Sequence, residues 1–301
     1  MKKIKTVILA LCVMALWGSL YPAVKLGYTM FEINGKTVAD ILLFASLRFS
    51  LCGLLVTGYC LCRRKTMPVP TKRSVGGILL VGVFAIVLHY AFSYIGLSTT
   101  DSSKTALLKQ SGSLLYVCFA FLFFKDEEFN IYKILGALIG FCGVVAINMS
   151  PGSLRFSTGD VIILCASVCT VISNIISRRF GRQVSPLWMT GLSQLFGGTV
   201  LLVIALSMGG RLPRINWEGM LVFAYICAAS IISYTIWYSV QQSSALSRLF
   251  IIKFAEPAFA CVIGAVLLGE DIFRLQYLVA FVLISLGIMT GHYSGKKRKK
   301  L

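Results

Sequence analysis

The stretch Leu246-Ser-Arg-Leu-Phe-Ile-Ile-Lys-Phe-Ala-Glu-Pro-Ala-Phe-Ala-Cys-Val-Ile-Gly-Ala-Val-Leu-Leu-Gly-Glu270 decides how the chain is read. It is long and apolar enough to cross a bilayer as a helix, since a crossing takes about 20 residues. Yet Lys253 and Glu256 lie well inside the apolar run, with Pro257 directly after them. A charge at membrane depth costs roughly 2.5–3.5 kcal/mol on insertion scales, so it usually faces a partner or a watery cavity. Proline there removes a helix hydrogen bond, which is tolerated where neighbours re-satisfy the backbone. A segment that accepts both costs side by side points to a role beyond spanning.

The rest of the chain repeats the apolar block. Of 301 residues, 57% are hydrophobic and 13% charged, and the mean hydropathy is +0.83. A soluble domain is about 45–50% apolar and about 25% charged. The lysine-rich start, Met1-Lys-Lys-Ile-Lys5, and the run after it resemble a signal peptide, but no clear cleavage site follows and the apolar stretch continues toward Val24, so it reads as a first span. Further spans are expected at Val38–Cys62, Ser74–Leu97, Ser102–Phe124, Ile131–Met149, Thr158–Phe180, Ser185–Met208, Asn216–Val240, Ala245–Leu268 and Phe273–His292. The expectation is an all-α polytopic membrane protein with ten transmembrane helices.

The net charge of +18 would suggest nucleic acid in a soluble protein. Here the basic residues cluster at Lys2–Lys5, Arg63–Lys65, Lys72–Arg73, Arg178–Arg182 and Lys296–Lys300, all flanking spans. Such clusters hold short loops on the cytoplasmic side, which places both termini in the cytoplasm of a cell-membrane protein. The basic tail, 293–301, suits anionic lipid headgroups. Nucleic acid is not expected as a partner; the lipid bilayer is, and a homodimer is compatible with the sequence. Eight of the ten cysteines lie inside apolar runs and act as small hydrophobes. Cys60 and Cys62 sit beside a basic loop, a setting compatible with palmitoylation. The two histidines lie far apart, so no zinc site is expected, and no cofactor is implied.

Five spans precede Ser150 and five follow it. A shift of 144 residues lays Tyr90 on Tyr234, Tyr94 on Tyr238, Ser103 on Ser247, Lys109 on Lys253 and Gly143 on Gly287. Lys104 meets Arg248, and Asp126 meets Glu270. An odd number of spans per half inverts one half against the other. That is the inverted-repeat plan of secondary transporters, with the site near the midplane between two five-helix repeats, 1–149 and 158–292.

On these residues the chain resembles a ten-span drug/metabolite transporter of the EamA type. Trp17-Gly18 matches the aromatic-Gly of that family's first helix, and Leu47-Arg48-Phe49 the arginine of its second. Glu256-Pro257 fits its proline with a preceding acid, Gly269-Glu270 the Gly-Glu that ends the helix, and Gly143 and Gly287 its late glycines. Ser113 stands where the first repeat usually has proline, and Lys125-Asp126-Glu127-Glu128 replaces its Gly-Glu. The first repeat is therefore expected to bend less at this helix.

Candidate binding or coupling residues follow. Arg48 is either a buried ion pair or carbonyl cap, or a dock for an anionic group, which its planar fork suits. Lys109 and Lys253 are symmetry mates, expected toward the outer and inner sides respectively. Lys253 and Glu256 are i, i+3 neighbours able to pair on one helix face, and Glu256 is a candidate proton carrier with Pro257 as hinge. Trp17, Tyr90, Tyr94, Tyr234, Trp237 and Tyr238 either pack and anchor helix ends or line the cavity, where rings take an apolar group or a cation. His89, Asn174 and Gln194 read as hydrogen-bonded packing, and Gly136-x-x-x-Gly140 as a close-packing motif.

The expected function is a secondary transporter that moves a small organic metabolite by alternating access. An amino acid or related small organic ion suits the site, in the efflux direction. The chain has no G-x-x-x-x-G-K-[ST] motif, so either a proton or ion gradient would supply coupling or transport would be passive. The alternatives are an intramembrane enzyme acting on a lipid-linked substrate, which lacks a nucleophile–base set here, or a channel.

Overall fold

The computed structural model describes residues 2–33, 37–97, 102–122, 124–125, 127–148, 157–211, 215–268 and 275–293. Their regular structure is entirely helical: α1 (Lys2–Met30), α2 (Val38–Cys62), α3 (Lys72–Gly82), α4 (His89–Leu97), α5 (Ser102–Phe119), α6 (Ile131–Asn148), α7 (Thr158–Gly181), α8 (Pro186–Ser207), α9 (Trp217–Ser243), α10 (Leu246–Ile252), α11 (Ala255–Leu268) and α12 (Leu275–His292). A π-helical segment, Val83–Leu88, joins α3 to α4, and a turn at Lys253-Phe254 joins α10 to α11. Twelve helices thus make ten spans. Seven continuous stretches are long and apolar enough to cross a membrane, and α6 and α12 hold shorter apolar runs. The polar span is α5, which carries Lys109, Gln110, Ser111 and Ser113. Gly269-Glu270, Asp126 and residues 98–101, 150–156 and 294–301 lie outside the described residues, as do the side chains of Ser103 and Lys104.

Side chains at the helix starts hold backbone amides that have no partner within the helix. Thr37 accepts from the Asp40 amide while Asp40 Oδ2 accepts from the Thr37 amide, and Ser157 and Asp160 repeat the arrangement. Each such cap stabilises its helix by roughly 0.5–2 kcal/mol. Asp40 Oδ1 also accepts from the Arg211 amide at 2.8 Å, which ties the start of α2 to the chain leaving α8.

The ninth span breaks for a local reason. Pro257 has no amide to offer the Lys253 carbonyl, and its ring crowds that carbonyl. The carbonyl accepts from the Glu256 amide at 3.0 Å instead, and the Phe254 amide reaches Ile251 at 3.2 Å. Both are three-residue bonds, tighter than the α-helical four. Ser113 occupies the matching place in the first repeat, and α5 runs unbroken through it.

The packing obeys the pseudo-symmetry. α2 lies against α8 and α6 against α12, while α1 packs on α9 and α11 as α7 packs on α3–α4 and α5. Exchanging the first five spans for the last five maps this set onto itself. Lipid tails are as apolar as leucine, so helices associate through close packing and polar contacts rather than through hydrophobicity. Glycines permit that approach here: a Cβ on Gly198 would lie 2.5 Å from the Ser50 amide, and one on Gly287 would lie 2.6 Å from the Gly140 amide. Gly53 is tighter still, against the Leu195 backbone. Gly53→Ala is therefore expected to destabilise the fold by at least ~1–3 kcal/mol, read as a lower midpoint in a thermal melt of the purified protein.

A buried carboxylate joins the repeats at one end of the bundle. Glu127, in the connection between α5 and α6, accepts from Arg178 Nη1 of α7 at 2.7 Å and from Lys133 Nζ of α6 at 3.1 Å. Ser247, in α10, adds its amide at 3.0 Å and its hydroxyl at 2.5 Å. Burial pushes the Glu127 carboxyl up, but the Ser247 bonds and the two cations outweigh it and hold the carboxyl below the usual carboxylate range. A depressed carboxylate contributes stability above its unfolded value of about 4.3, lost as pH falls through the lower folded value. Glu127→Gln, which strands Arg178 and Lys133, is expected to cost about 3–5 kcal/mol at neutral pH. It should also flatten the acid limb of the stability–pH curve, measured by thermal melts between about pH 3 and pH 7.

Candidate functional site

Arg48 is 4% exposed, mid-way along α2, and its environment holds no carboxylate partner. Its Nη2 donates to the Tyr90 hydroxyl at 3.1 Å, and its Cζ lies 4.2 Å from the centre of the Phe49 ring. Nε has no hydrogen-bond partner. A buried ion pair is therefore not what Arg48 makes; it is a cation held by a phenol and rings, with its buried Nε left without a partner. Tyr90 faces it because the π turn Val83–Leu88 ends immediately before His89 and Tyr90. Tyr94 lies one turn on, its ring 5.9 Å from that of Tyr90 and its hydroxyl 3.3 Å from that of Tyr28.

The second cluster surrounds the helix break. Lys253 is 8% exposed, and its Nζ lies 5.6 Å from the Trp17 ring, 6.0 Å from Trp237 and 5.4 Å from Phe250. A cation over an aromatic face is favoured by roughly 0.5–2 kcal/mol. Trp17 in turn contacts Tyr234 edge-on at 5.6 Å and Trp237 at 5.1 Å. The expected pairing of Lys253 with Glu256 does not occur. The i, i+3 rule assumes an unbroken helix, and the turn at Lys253-Phe254 lies between the two residues. Glu256 Oε1 accepts instead from the Tyr21 hydroxyl of α1 at 3.1 Å. Gly18 makes this crossing close, since a Cβ there would lie 2.8 Å from the Ala260 amide of α11.

Lys109, in α5, makes no hydrogen bond or ion pair among the described residues. Trp237 and Tyr238 are 2% and 5% exposed, so they back the site rather than face an opening. Trp237 Nε1 donates to Asn174 Oδ1 at 2.7 Å, and Gln241 reaches the same oxygen. His89 Nδ1 lies 3.1 Å from the Ala166 carbonyl and 2.9 Å from the Thr170 hydroxyl, packing against α7. Gln194 departs from expectation. It is fully buried in α8 with neither amide atom hydrogen-bonded, so it forms no interhelical bond.

Three contributors escaped the sequence reading: Tyr21, Tyr28 and Phe250. The first two had a signal. Trp17, Tyr21, Val24 and Tyr28 follow at helical spacing and so share one face of α1. Phe250 had none, being one of many apolar residues in its span.

A family model described as the EamA-like transporter family matches residues 4–149 and again 157–290, one match per repeat. Among curated proteins, the chain is 24% identical to "Uncharacterized transporter YdfC" of Bacillus subtilis (strain 168), over 95% of this chain and 94% of that one. It is 26% identical to "Uncharacterized transporter sll0355" of Synechocystis sp., over 90% of this chain and 85% of the other. One crystal structure superposes with a TM-score of 0.79 at 19% identity, covering 96% of both chains, a likeness of fold. The two matches together span nearly the whole sequence, and the chain belongs to the EamA-like transporter family.

Proposed function

We propose that this membrane transporter exports a small organic metabolite bearing an anionic group, an amino acid or a related organic ion, by alternating access between its two repeats. The observation that carries the reading is Arg48: a mid-span guanidinium with no carboxylate beside it and Nε unused. A buried, unsatisfied donor costs about 1–3 kcal/mol, more when charged, so a ligand oxygen that fills it is bound at an advantage. The neighbouring rings of Trp17, Tyr90 and Tyr234 suit the apolar part of such a solute. Coupling is assigned to Glu256, which its Tyr21 bond leaves free of any lysine ion pair.

Purified protein in liposomes loaded with one amino acid should exchange it for labelled amino acid outside. Counterflow implies alternating access; product formation would mean catalysis instead, and unsaturable flux a channel. Arg48→Lys, which keeps the charge but loses the planar fork, is expected to raise KM at least ~tenfold with a smaller change in kcat. Glu256→Gln should remove the pH dependence of transport; unchanged uptake and pH profile would end the coupling role.

A further inference from the structure

We propose that the groove between α1, α11 and α12 holds one acyl chain of an anionic phospholipid, whose headgroup rests on Lys5 and Arg248. The groove has a volume of about 440 Å³, and its walls include Leu11, Ala258, Val262, Phe281, Ser285 and Met289. Among the lining residues Ser285 alone is polar. The groove follows from the break in the ninth span. α10 commits to α12, where the Ile251 side chain packs against Gly291. Beyond the Lys253-Phe254 turn, α11 commits to α1, at the crossing of Gly18 on Ala260. α12 is kept from following because its Gly287 is seated on α6: a Cβ there would lie 2.7 Å from the Gly136 carbonyl. α11 therefore parts from α12, and the space between them opens sideways, with Val262 and Met289 exposed at its edges.

Water finds almost no hydrogen-bond partners in such a space. In a membrane-spanning chain the fluid that meets it is lipid hydrocarbon. Moving an acyl chain from bulk lipid into the groove brings no hydrophobic gain, because both are equally apolar. Close packing favours it, since an unfilled groove loses its dispersion contacts. Choice among lipids then falls to the headgroup, and the charges at one end of the groove set it. α1 and α11 run parallel, with Leu11 and Ala255 lining the groove together and Gly18 crossing Ala260 one or two turns on. Lys5, exposed on α1 before Leu11, lies about 9 Å further toward the helix start. Arg248, one turn before Ile251 on the same face of α10, reaches the same level, beside the end of α12 at His292. Just past that end Tyr293 meets Tyr132 edge-on with ring centres 4.9 Å apart, as rings do at a membrane–water boundary. Two cations at headgroup height with an apolar channel below them match an anionic phospholipid.

The experiment is native mass spectrometry of the purified, delipidated full-length protein, titrated with dioleoyl phosphatidylglycerol or dioleoyl phosphatidylcholine. One phosphatidylglycerol should be retained at least ~tenfold more tightly than phosphatidylcholine. Lys5→Gln and Arg248→Gln should each lower that preference about fivefold. Ser285→Trp and Val262→Trp, which fill the groove from exposed positions, should each abolish retention of that lipid. Val203→Trp, at an exposed position of α8, should leave it unchanged. Thermal melts establish that each variant is folded.

Equal retention of the two lipids by the unmodified protein would overturn the proposal, and that comparison requires no variant to fold. Displacement of the bound lipid by glycerophosphoglycerol, the headgroup without its chains, would mean adsorption by charge alone and overturn it as well. Retention that survives both tryptophan variants would put the lipid elsewhere on the protein. A dimer that those variants dissociate, with no lipid retained, would give the groove to a second copy of the chain instead.

Discussion

The amide that Pro257 lacks shapes the centre of this molecule. In a bilayer every backbone group needs a partner inside the protein, so a carbonyl deprived of its donor forces a local rearrangement. The Lys253 carbonyl takes the Glu256 amide, the helix tightens for two residues, and the ninth span becomes α10 and α11. That rearrangement sends Lys253 toward Trp17 and Trp237 and Glu256 toward Tyr21. An ion pair that regular geometry would have made is replaced by two separate charges with separate partners.

The two repeats share a packing plan but not a chemistry. Glycine-mediated crossings of α2 on α8 and α6 on α12 relate equivalent helices across the pseudo-two-fold. The polar groups do not follow. Repeat one contributes a straight α5, a π turn and the Glu127 carboxylate, while repeat two contributes the broken span and Glu256. Glu127 fastens the two halves at the end where Arg178 and Ser247 meet it, through partners that Arg48 and Tyr90 do not share. Two polar clusters, one that joins and one that remains unsatisfied, divide the work along the bundle.

Much of this was legible from the chain. Span positions followed from apolar length, and the shift of 144 residues foretold which helices exchange under the pseudo-symmetry. The resemblance supplied the family. Arg48, Lys253 and Glu256 declared themselves because charge is rare inside a span. Their partners did not, because partnership depends on angles between helices. Tyr21 meets Glu256 only because Gly18 lets α1 approach α11, and the missing Lys253–Glu256 pair depends on a two-residue turn. Glu127 stood in sequence merely as a departure from the family's Gly-Glu. Its burial among four donors requires three other segments to arrive at one place.

The π turn Val83–Leu88 has a consequence for how this helix tolerates change. A π turn holds one residue more than the α-helix around it, and one residue amounts to about 100° of rotation. Gly82, before the turn, packs against the Ser193 carbonyl and Gly197 of α8, while Tyr90, after it, faces Arg48. The surplus residue lets one span present both faces in their required directions. The third span is thus keyed by its length as well as its composition. A single-residue deletion there would swing the tyrosines to a new azimuth with every side chain still intact.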